Sequence, residues 1–425
     1  MKKILMQTVG SLVTSILRWI DYRFYHSSTA MTDDEVIANP YTHYNEIRSH
    51  GKFLRSQRNR GWMALGYDEV QAVLRENRLG ADMRKNEFVS KMIRLAAEGR
   101  KVTFLDDPTM LNLDPPDHTR LRKLANHGFI NKQILALEPR IAELVDNLLD
   151  AIDPGSDSFD VVKVIAEPLP VSVIAELLGL PEEDQPRFLE LSRQLVGILA
   201  LGNTELMDAG ACASEELSEY FARQIEGKRQ SPGDDLISKL IEVEEEGDRL
   251  SNEELISTCI VLLVAGHETT THLIGNGMHL LLQHPAEMQK LRQNPALIPN
   301  AVEEMLRMEP PVNFTARTAL ENFELFGEQV QENQIVMAVF ASANRDPDRF
   351  PDPDKFDVTR EEPGHMAFGY GIHLCLGMTL ARLEAKVAFE KILARYPNLG
   401  LVAQEISYVP VPINRGRESL LVSTA

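Results

Sequence analysis

From Ser251 to Pro285 the chain carries one long run of helical spacing, broken only by glycine, and this run limits the available folds most. Ser251-Asn252-Glu253-Glu254 has the form of a capping box, in which the serine hydroxyl and the glutamate satisfy each other's backbone N–H groups at a helix start. Pro285 is the first residue beyond it that cannot continue a helix. At 1.5 Å rise per residue the helix is about 50 Å long, enough to cross the whole molecule. The rest of the chain must pack around it.

The centre of that run, Ala265-Gly266-His267-Glu268-Thr269-Thr270, is poor helix material. Glycine costs about 1 kcal/mol against alanine in a helix interior, and adjacent β-branched threonines add to this. The Thr269 hydroxyl can donate back to the carbonyl of Ala265, which tends to bend a helix, so a local opening is expected here. An opened turn beside a carboxylate and a hydroxyl is a place to hold water. Taken alone, the same residues also fit a solvated glutamate beside a kink, because exposed Glu is the rule.

Cys212, Cys259 and Cys375 are scattered and odd in number, which excludes a disulfide framework and a C-x-x-C zinc site. Cys259 reads as core. Cys375 differs, because it sits in Phe368-Gly369-Tyr370-Gly371-Ile372-His373-Leu374-Cys375-Leu376-Gly377. Gly369 and Gly371 permit positive φ and let the main chain press against a flat object. Apolar residues recur at Leu376, Leu380, Leu383, Val387 and Ile392, so Cys375 is expected at a helix N-terminus. There the helix dipole and unpaired N–H groups favour a thiolate. Gly377 would keep the first turn thin. A buried, inert thiol is the usual fate of a free cysteine, and the glycine spacing argues against it.

Composition narrows the class. Hydrophobic residues make up 44 % and charged residues 25 %, the balance of a globular protein, and no repeat or Gly/Ser linker divides the chain. A formal net charge of −19 argues against nucleic acid as a partner. Helical periodicity dominates from about residue 135 to 310. Strand-like stretches are short: about 52–55 with 61–65, then 322–340, then 399–422. A mainly α protein with small β-sheets is expected. Residues 31–425 are expected to form a single domain behind an extension of residues 1–30. In that extension the charge-free run from Ile4 to Leu17 falls short of the about 20 apolar residues needed to span a membrane. Leu5, Val9, Leu12, Ile16 and Trp19 share a helical face. A weak peripheral membrane contact by residues 1–20 therefore stands beside the alternative that Met31 is the start.

The Cys375 run resembles the haem-binding loop of the cytochrome P450 family, F-G-x-G-x-H-x-C-x-G, at every fixed position. Ala265 to Thr270 resembles the family's distal motif, A/G-G-x-D/E-T-T/S, with His267 in its variable position. Ala301 to Arg307, with Arg317, Asn344-Arg345-Asp346-Pro347 and Phe356 to Arg360, resembles its E-x-x-R helix, following strand and meander. Asp117 to Lys123 resembles its H-x-x-x-R element. The likeness covers about residues 35–425.

What the resemblance implies is specific. The fold is the cytochrome P450 fold, a triangular prism of helices enclosing haem b. Cys375 is the axial iron ligand, and Phe368, Gly369 and Gly377 shape the seat of the haem. His118, Arg122, Arg317 and His373 meet the two propionates; Arg suits this because its planar fork matches a carboxylate. Ala265 and Gly266 leave room for dioxygen, Thr269 hydrogen-bonds it, and Glu268 brings in solvent protons. Glu304, Arg307 and Arg360 form a buried ion triad that retains fold and haem. Val261, Leu262, Val312, Asn313, Phe314 and Ile413 line a mostly apolar pocket suited to a polyketide, macrolide, terpenoid, steroid or fatty acid. The strongest likeness is to soluble bacterial P450s that tailor polyketides.

The implied activity is monooxygenation, one atom of O₂ entering the substrate by hydroxylation or epoxidation. No Rossmann glycine motif and no ferredoxin cysteine series is present, so electrons come from a separate ferredoxin or flavodoxin with its NAD(P)H reductase. The expected dock lies near Arg122, Lys123 and Arg382. A cytoplasmic monomer is expected. A non-catalytic haem sensor or electron carrier, a peroxygenase or isomerase of the same fold, and a cysteine hydrolase are the alternatives. The hydrolase leaves Glu304, Arg307, Arg360 and His118 unexplained.

Overall fold

The computed structural model describes residues 34–56, 61–87, 89–91, 101–199, 204–243, 249–361 and 364–424. The extension of residues 1–30, and with it the membrane contact expected of residues 1–20, lies outside these. Among the described residues no helix is long and apolar enough to cross a membrane.

The Ser251 signal becomes a helix of 32 residues, Asn252–Gln283, with both capping-box bonds in place. The Glu254 N–H donates to Ser251 Oγ at 3.2 Å and the Ser251 N–H donates to Glu254 Oε2 at 2.8 Å. The helix stops at His284, and Pro285 begins the next one, Pro285–Gln293. Helices Pro168–Leu178, Gln185–Val196, Thr204–Gln230, Ile298–Met308 and Met378–Arg395 pack against it. A helix apolar on nearly all sides belongs at such a centre.

The expected opening at its middle is absent: residues 252–283 are α-helical throughout. The Thr269 hydroxyl does donate to the Ala265 carbonyl, at 2.9 Å, and Thr270 to Gly266, at 3.2 Å. Packing holds the ladder closed all the same. A Cβ at Gly266 would stand 3.4 Å from Ile174, so the glycine is where the Pro168–Leu178 helix rests on its neighbour.

Two apolar clusters flank the long helix. One joins it to Glu138–Asp150, Ile298–Met308 and Met378–Arg395; the other joins it to Gln185–Val196 and Thr204–Gln230. The strands, in chain order, are β1 (Phe53–Ser56), β2 (Gly61–Ala64), β3 (Leu79–Gly80), β4 (Ser158–Asp160), β5 (Thr315–Ala319), β6 (Phe323–Leu325), β7 (Glu328–Val330), β8 (Ile335–Ala338), β9 (Gly400–Leu401) and β10 (Leu421–Ser423). They form a five-stranded sheet ordered β1-β2-β8-β5-β3, a three-stranded β4-β10-β9 and a hairpin β6-β7. The pairing expected of residues 52–55 with 61–65 is β1 with β2, antiparallel, Phe53 facing Ala64. β2 and β8 run parallel, and β8 and β5 antiparallel, which carries Arg317 into register with Val336.

Candidate active site

The loop before the Met378–Arg395 helix is closed by its own backbone: the Cys375 N–H donates to the Phe368 carbonyl at 2.9 Å. Gly369 and Gly371 hold φ of 71° and 74°. A Cβ at Gly371 would also lie 2.8 Å from the Leu74 carbonyl oxygen, so no larger residue fits. Cys375 stands two residues before Gly377, the N-cap. This is slightly outside the helix rather than in its first turn. Burial pushes its thiol pKa up, while the Gly377 N–H and the charges of Arg122 and Arg382 pull it down. Leu376 packs on the cluster containing Leu262, Leu263 and Val264, which brings the loop close to the middle of the long helix.

Beside this loop four cationic or imidazole groups converge. His118 and Arg122 project from the Asp117–Asn126 helix, Arg317 from β5 and His373 from the turn before Cys375. The His118 and His373 rings lie 4.1 Å apart between centroids. Arg122 donates to the Leu374 carbonyl at 2.5 Å, and Arg317 to Thr315 Oγ1 at 3.2 Å and the Ala316 carbonyl at 2.9 Å. Among the described residues neither ring nitrogen of His118 has a partner. Burial lowers the pKa of His373 to about 3, with Arg317 and His118 adding to the effect. Burial likewise lowers Arg317 to about 10, and lowers His118 with help from Arg122 and Arg317. Asp114 opposes these effects only in part, so the cluster still carries more cation than anion. Two propionates would supply the balance.

The long helix offers one accessible patch. Ala265 is exposed and Gly266 and Thr269 are half-buried, although Val264 and His267 beside them are buried. Accessible surface in the middle of a core helix borders an interior space. A Cβ at Gly377 would likewise meet nothing within 4 Å among the described residues. These openings and the partly compensated cations fit a flat, dianionic haem between loop and helix.

Glu268 lies at the edge of that patch, its side chain 12 % exposed. Its Oε1 lies 3.5 Å from His267 Nε2 and its Oε2 lies 3.4 Å from His272 Nε2. Burial alone would raise its pKa, but His267, His272 and Arg193 hold it at about 2. The sequence reading left both histidines without a task. The i,i+4 spacing of Glu268 and His272 was a signal that could have found one of them; the burial of both rings depends on what packs over the helix.

Glu304, Arg307 and Arg360 do come together. Arg307 donates from Nε to Glu304 Oε2 at 2.7 Å and from Nη2 to Oε1 at 2.8 Å, and Arg360 donates from Nε to Oε1 at 3.2 Å. Arg382, expected near a docking surface, is ion-paired. It grips Glu303 with two bonds, at 2.7 and 2.8 Å, and its guanidinium lies 4.6 Å from the Phe368 ring centroid. Two nitrogens matching two carboxylate oxygens make this a brace for the loop rather than a free charge.

Of the expected pocket residues, Val312, Asn313, Phe314 and Ile413 are drawn together by the chain itself. Val312 bridges to Asn414, and the Asn313 N–H donates to the Ile413 carbonyl at 2.8 Å. The Asn313 amide donates to the Pro412 carbonyl at 3.3 Å, so part of its polarity serves the backbone. Val261 and Leu262 are buried on the long helix within a turn of Ala265, Leu262 in the second core cluster.

Comparison with known proteins places this arrangement. The family model described as Cytochrome P450 matches residues 65–399. The chain is 40 % identical over 391 residues to the cytochrome P450 monooxygenase PikC of Streptomyces venezuelae, covering 90 % of each chain. It is 38 % identical over 370 residues to 6-deoxyerythronolide B hydroxylase of Saccharopolyspora erythraea, covering 85 % of this chain and 89 % of the other. Among solved structures it resembles P450BioI in complex with hexadec-9Z-enoic acid ligated acyl carrier protein, with a TM-score of 0.85 and 35 % identity over 93 % of this chain and 100 % of that one. It also resembles myxobacterial CYP267B1 in complex with myristic acid, with a TM-score of 0.86 and 40 % identity over 93 % and 98 % of the two chains.

Proposed function

Since the chain belongs to the cytochrome P450 family and is a haem-dependent monooxygenase, we propose that its substrate is an extended apolar molecule of the polyketide, macrolide or fatty-acyl kind. The relatives support this: one is named a hydroxylase of 6-deoxyerythronolide B, and two solved neighbours hold fatty acyl groups. Val261, Leu262, Val312, Phe314 and Ile413 would give such a substrate an apolar wall, and Asn313 a polar point of orientation.

Haem supplies the activation of dioxygen, assisted by thiolate donation. The chain's share is to hold, orient and deliver protons. Cys375 presents sulfur from a loop whose backbone is fixed by Gly369, Gly371 and the bond to Phe368. His118, Arg122, Arg317 and His373 take the propionates. Thr269 offers its hydroxyl at the accessible patch, and Glu268, the next residue, carries protons toward it from the buried side. The observation carrying this reading is that an acid and a hydroxyl adjoin an accessible stretch in the middle of a largely buried helix. Both being present favours O₂ over peroxide as oxidant.

Electrons arrive from a separate ferredoxin or flavodoxin with its NAD(P)H reductase, docking on the Cys375 face of a single haem domain, residues 31–425, that works as a cytoplasmic monomer. The test is a panel of macrolactones and fatty acids, scored first by substrate-induced spin shift and then by NAD(P)H use with surrogate partners. A binder converted to a hydroxylated or epoxidised product is expected. Spin shifts with no oxygenated product from any binder would contradict the proposal.

A further inference from the structure

His267 occupies the variable position of the distal motif, yet its surroundings are tightly defined. Its side chain is 1 % exposed. Nδ1 lies 3.0 Å from the Leu263 carbonyl and 3.3 Å from the Ser192 hydroxyl on the Gln185–Val196 helix. A carbonyl only accepts, so Nδ1 carries a proton and donates to it. On the far side of the ring, Nε2 lies 3.5 Å from Glu268 Oε1 and makes no hydrogen bond among the described residues. The second carboxylate oxygen faces His272, 3 % exposed, whose ring nitrogens are both unpartnered among the described residues. The chain closes over this ring at Gly416, where a Cβ would stand 1.9 Å from His272 Nδ1.

With Nδ1–H fixed, the pair has four states. Imidazolium can face carboxylate, or imidazole can face carboxylic acid; each places one proton between Nε2 and Oε1. The third state sets a bare Nε2 lone pair against a largely buried carboxylate, and the fourth sets N–H against O–H with two protons between them; both are unfavourable. The pair therefore keeps a proton. Glu268 by itself, held at about 2 by His267, His272 and Arg193 against the effect of burial, is a weak reservoir at neutral pH.

We propose that His267 stores the proton that Glu268 passes toward Thr269, and that His272 is a positioning residue holding the other carboxylate oxygen. This presupposes that Glu268 carries protons, as read above. In the step the Nε2–H bond breaks while Oε1–H forms, imidazolium and carboxylate become imidazole and acid, and no electrons change hands. Glu268 then releases that proton, and the ring regains one from solvent water. Other charges facing the pair are Arg193 and Glu167, themselves paired, Lys163 on Glu167, and Arg417 beyond His272.

The test uses the haem-loaded protein with CO on reduced iron, which is diamagnetic. Nitrogen-15 NMR of the histidines is followed across about pH 5 to 8, where imidazoles titrate. One ring should be protonated at both nitrogens, its signal lost in His267→Gln and its second proton lost in Glu268→Gln. With redox partners, His267→Gln should raise peroxide released per electron by about ten-fold. That is less than the ~100-fold lower bound for losing a proton-transfer group, because Glu268 remains. Should His267→Gln lose haem, Ser192→Ala and the spectra of wild type and Glu268→Gln carry the test; Ser192→Ala should shift the Nδ1 resonance of the same ring. Wild-type coupling in His267→Gln, or a ring equally protonated with and without the Glu268 carboxylate, overturns the proposal. If Glu268→Gln itself leaves coupling unchanged, the underlying reading of Glu268 fails instead.

Discussion

Replacing Glu304 by glutamine keeps the side chain's shape and removes its charge. The carboxylate is 3 % exposed and accepts from Arg307 Nε and Nη2, Arg360 Nε and, at 3.1 Å, the Asp357 N–H. A glutamine amide turns one of those acceptors into a donor, set against other donors, and strands the Arg307 guanidinium, which is 1 % exposed. Removing one partner of a buried pair costs about 3–5 kcal/mol. Arg307 keeps the carbonyls of Asn344, Pro353 and Lys355, at 2.9, 2.7 and 3.1 Å, so the lower end applies, about 3 kcal/mol. That is a large part of the roughly 5–15 kcal/mol that holds a domain folded. Urea unfolding of the haem-loaded protein, followed at the Soret band, should show it. With a slope of about 3 kcal/mol/M the midpoint falls by about 1 M. A fall below about 0.3 M would refute the view that this pair is an uncompensated buried charge once broken.

Glu309 gives a pH signature. Burial would raise its pKa from 4.5, but Arg415, Arg417 and Arg345 hold it at about 2. A depressed folded pKa contributes stability that is present above the unfolded value and lost as pH falls through the folded one. The contribution is about 3 kcal/mol, so Glu309→Gln should lower Tm at neutral pH and flatten the acid limb of Tm against pH; an unchanged limb would count against it. Gly371→Ala, with φ of 74° and a backbone oxygen 2.8 Å from the new Cβ, should destabilise the loop by about 1–3 kcal/mol and speed haem loss to apomyoglobin. Gly377→Ala has open space instead, so apo stability should hold while haem affinity falls; equal affinity would place the haem elsewhere. Thr269→Ala should retain haem and release more peroxide per electron, and unaltered coupling would remove the hydroxyl from the proton path.

Much of this site could be read along the chain because its parts are local. The capping box at Ser251, the glycines before Cys375 and the i,i+4 placement of His118 and Arg122 are each set within a few residues. The meeting of Glu304 with Arg360 spans 56 residues and was legible only through the resemblance. What escaped were contacts decided by packing between distant elements. Ser192 and Gly416 place His267 and His272 against Glu268, and neither position announces this. The expected opening of the long helix failed for the same reason: a glycine that weakens an isolated helix here lets Ile174 brace it. The pairing of Arg382 with Glu303 was likewise out of view, because nothing in its own segment reveals a carboxylate 79 residues earlier.

The most direct measurement is the absorption spectrum of the reduced, CO-bound protein beside its Cys375→Ala variant. Sulfur ligation requires the strongly red-shifted Soret band of a thiolate-bound haem in the parent and its loss in the variant, with Glu304 and Arg307 intact in both. A parent band at the position given by imidazole ligation, or a variant that keeps the red-shifted band, would contradict the account.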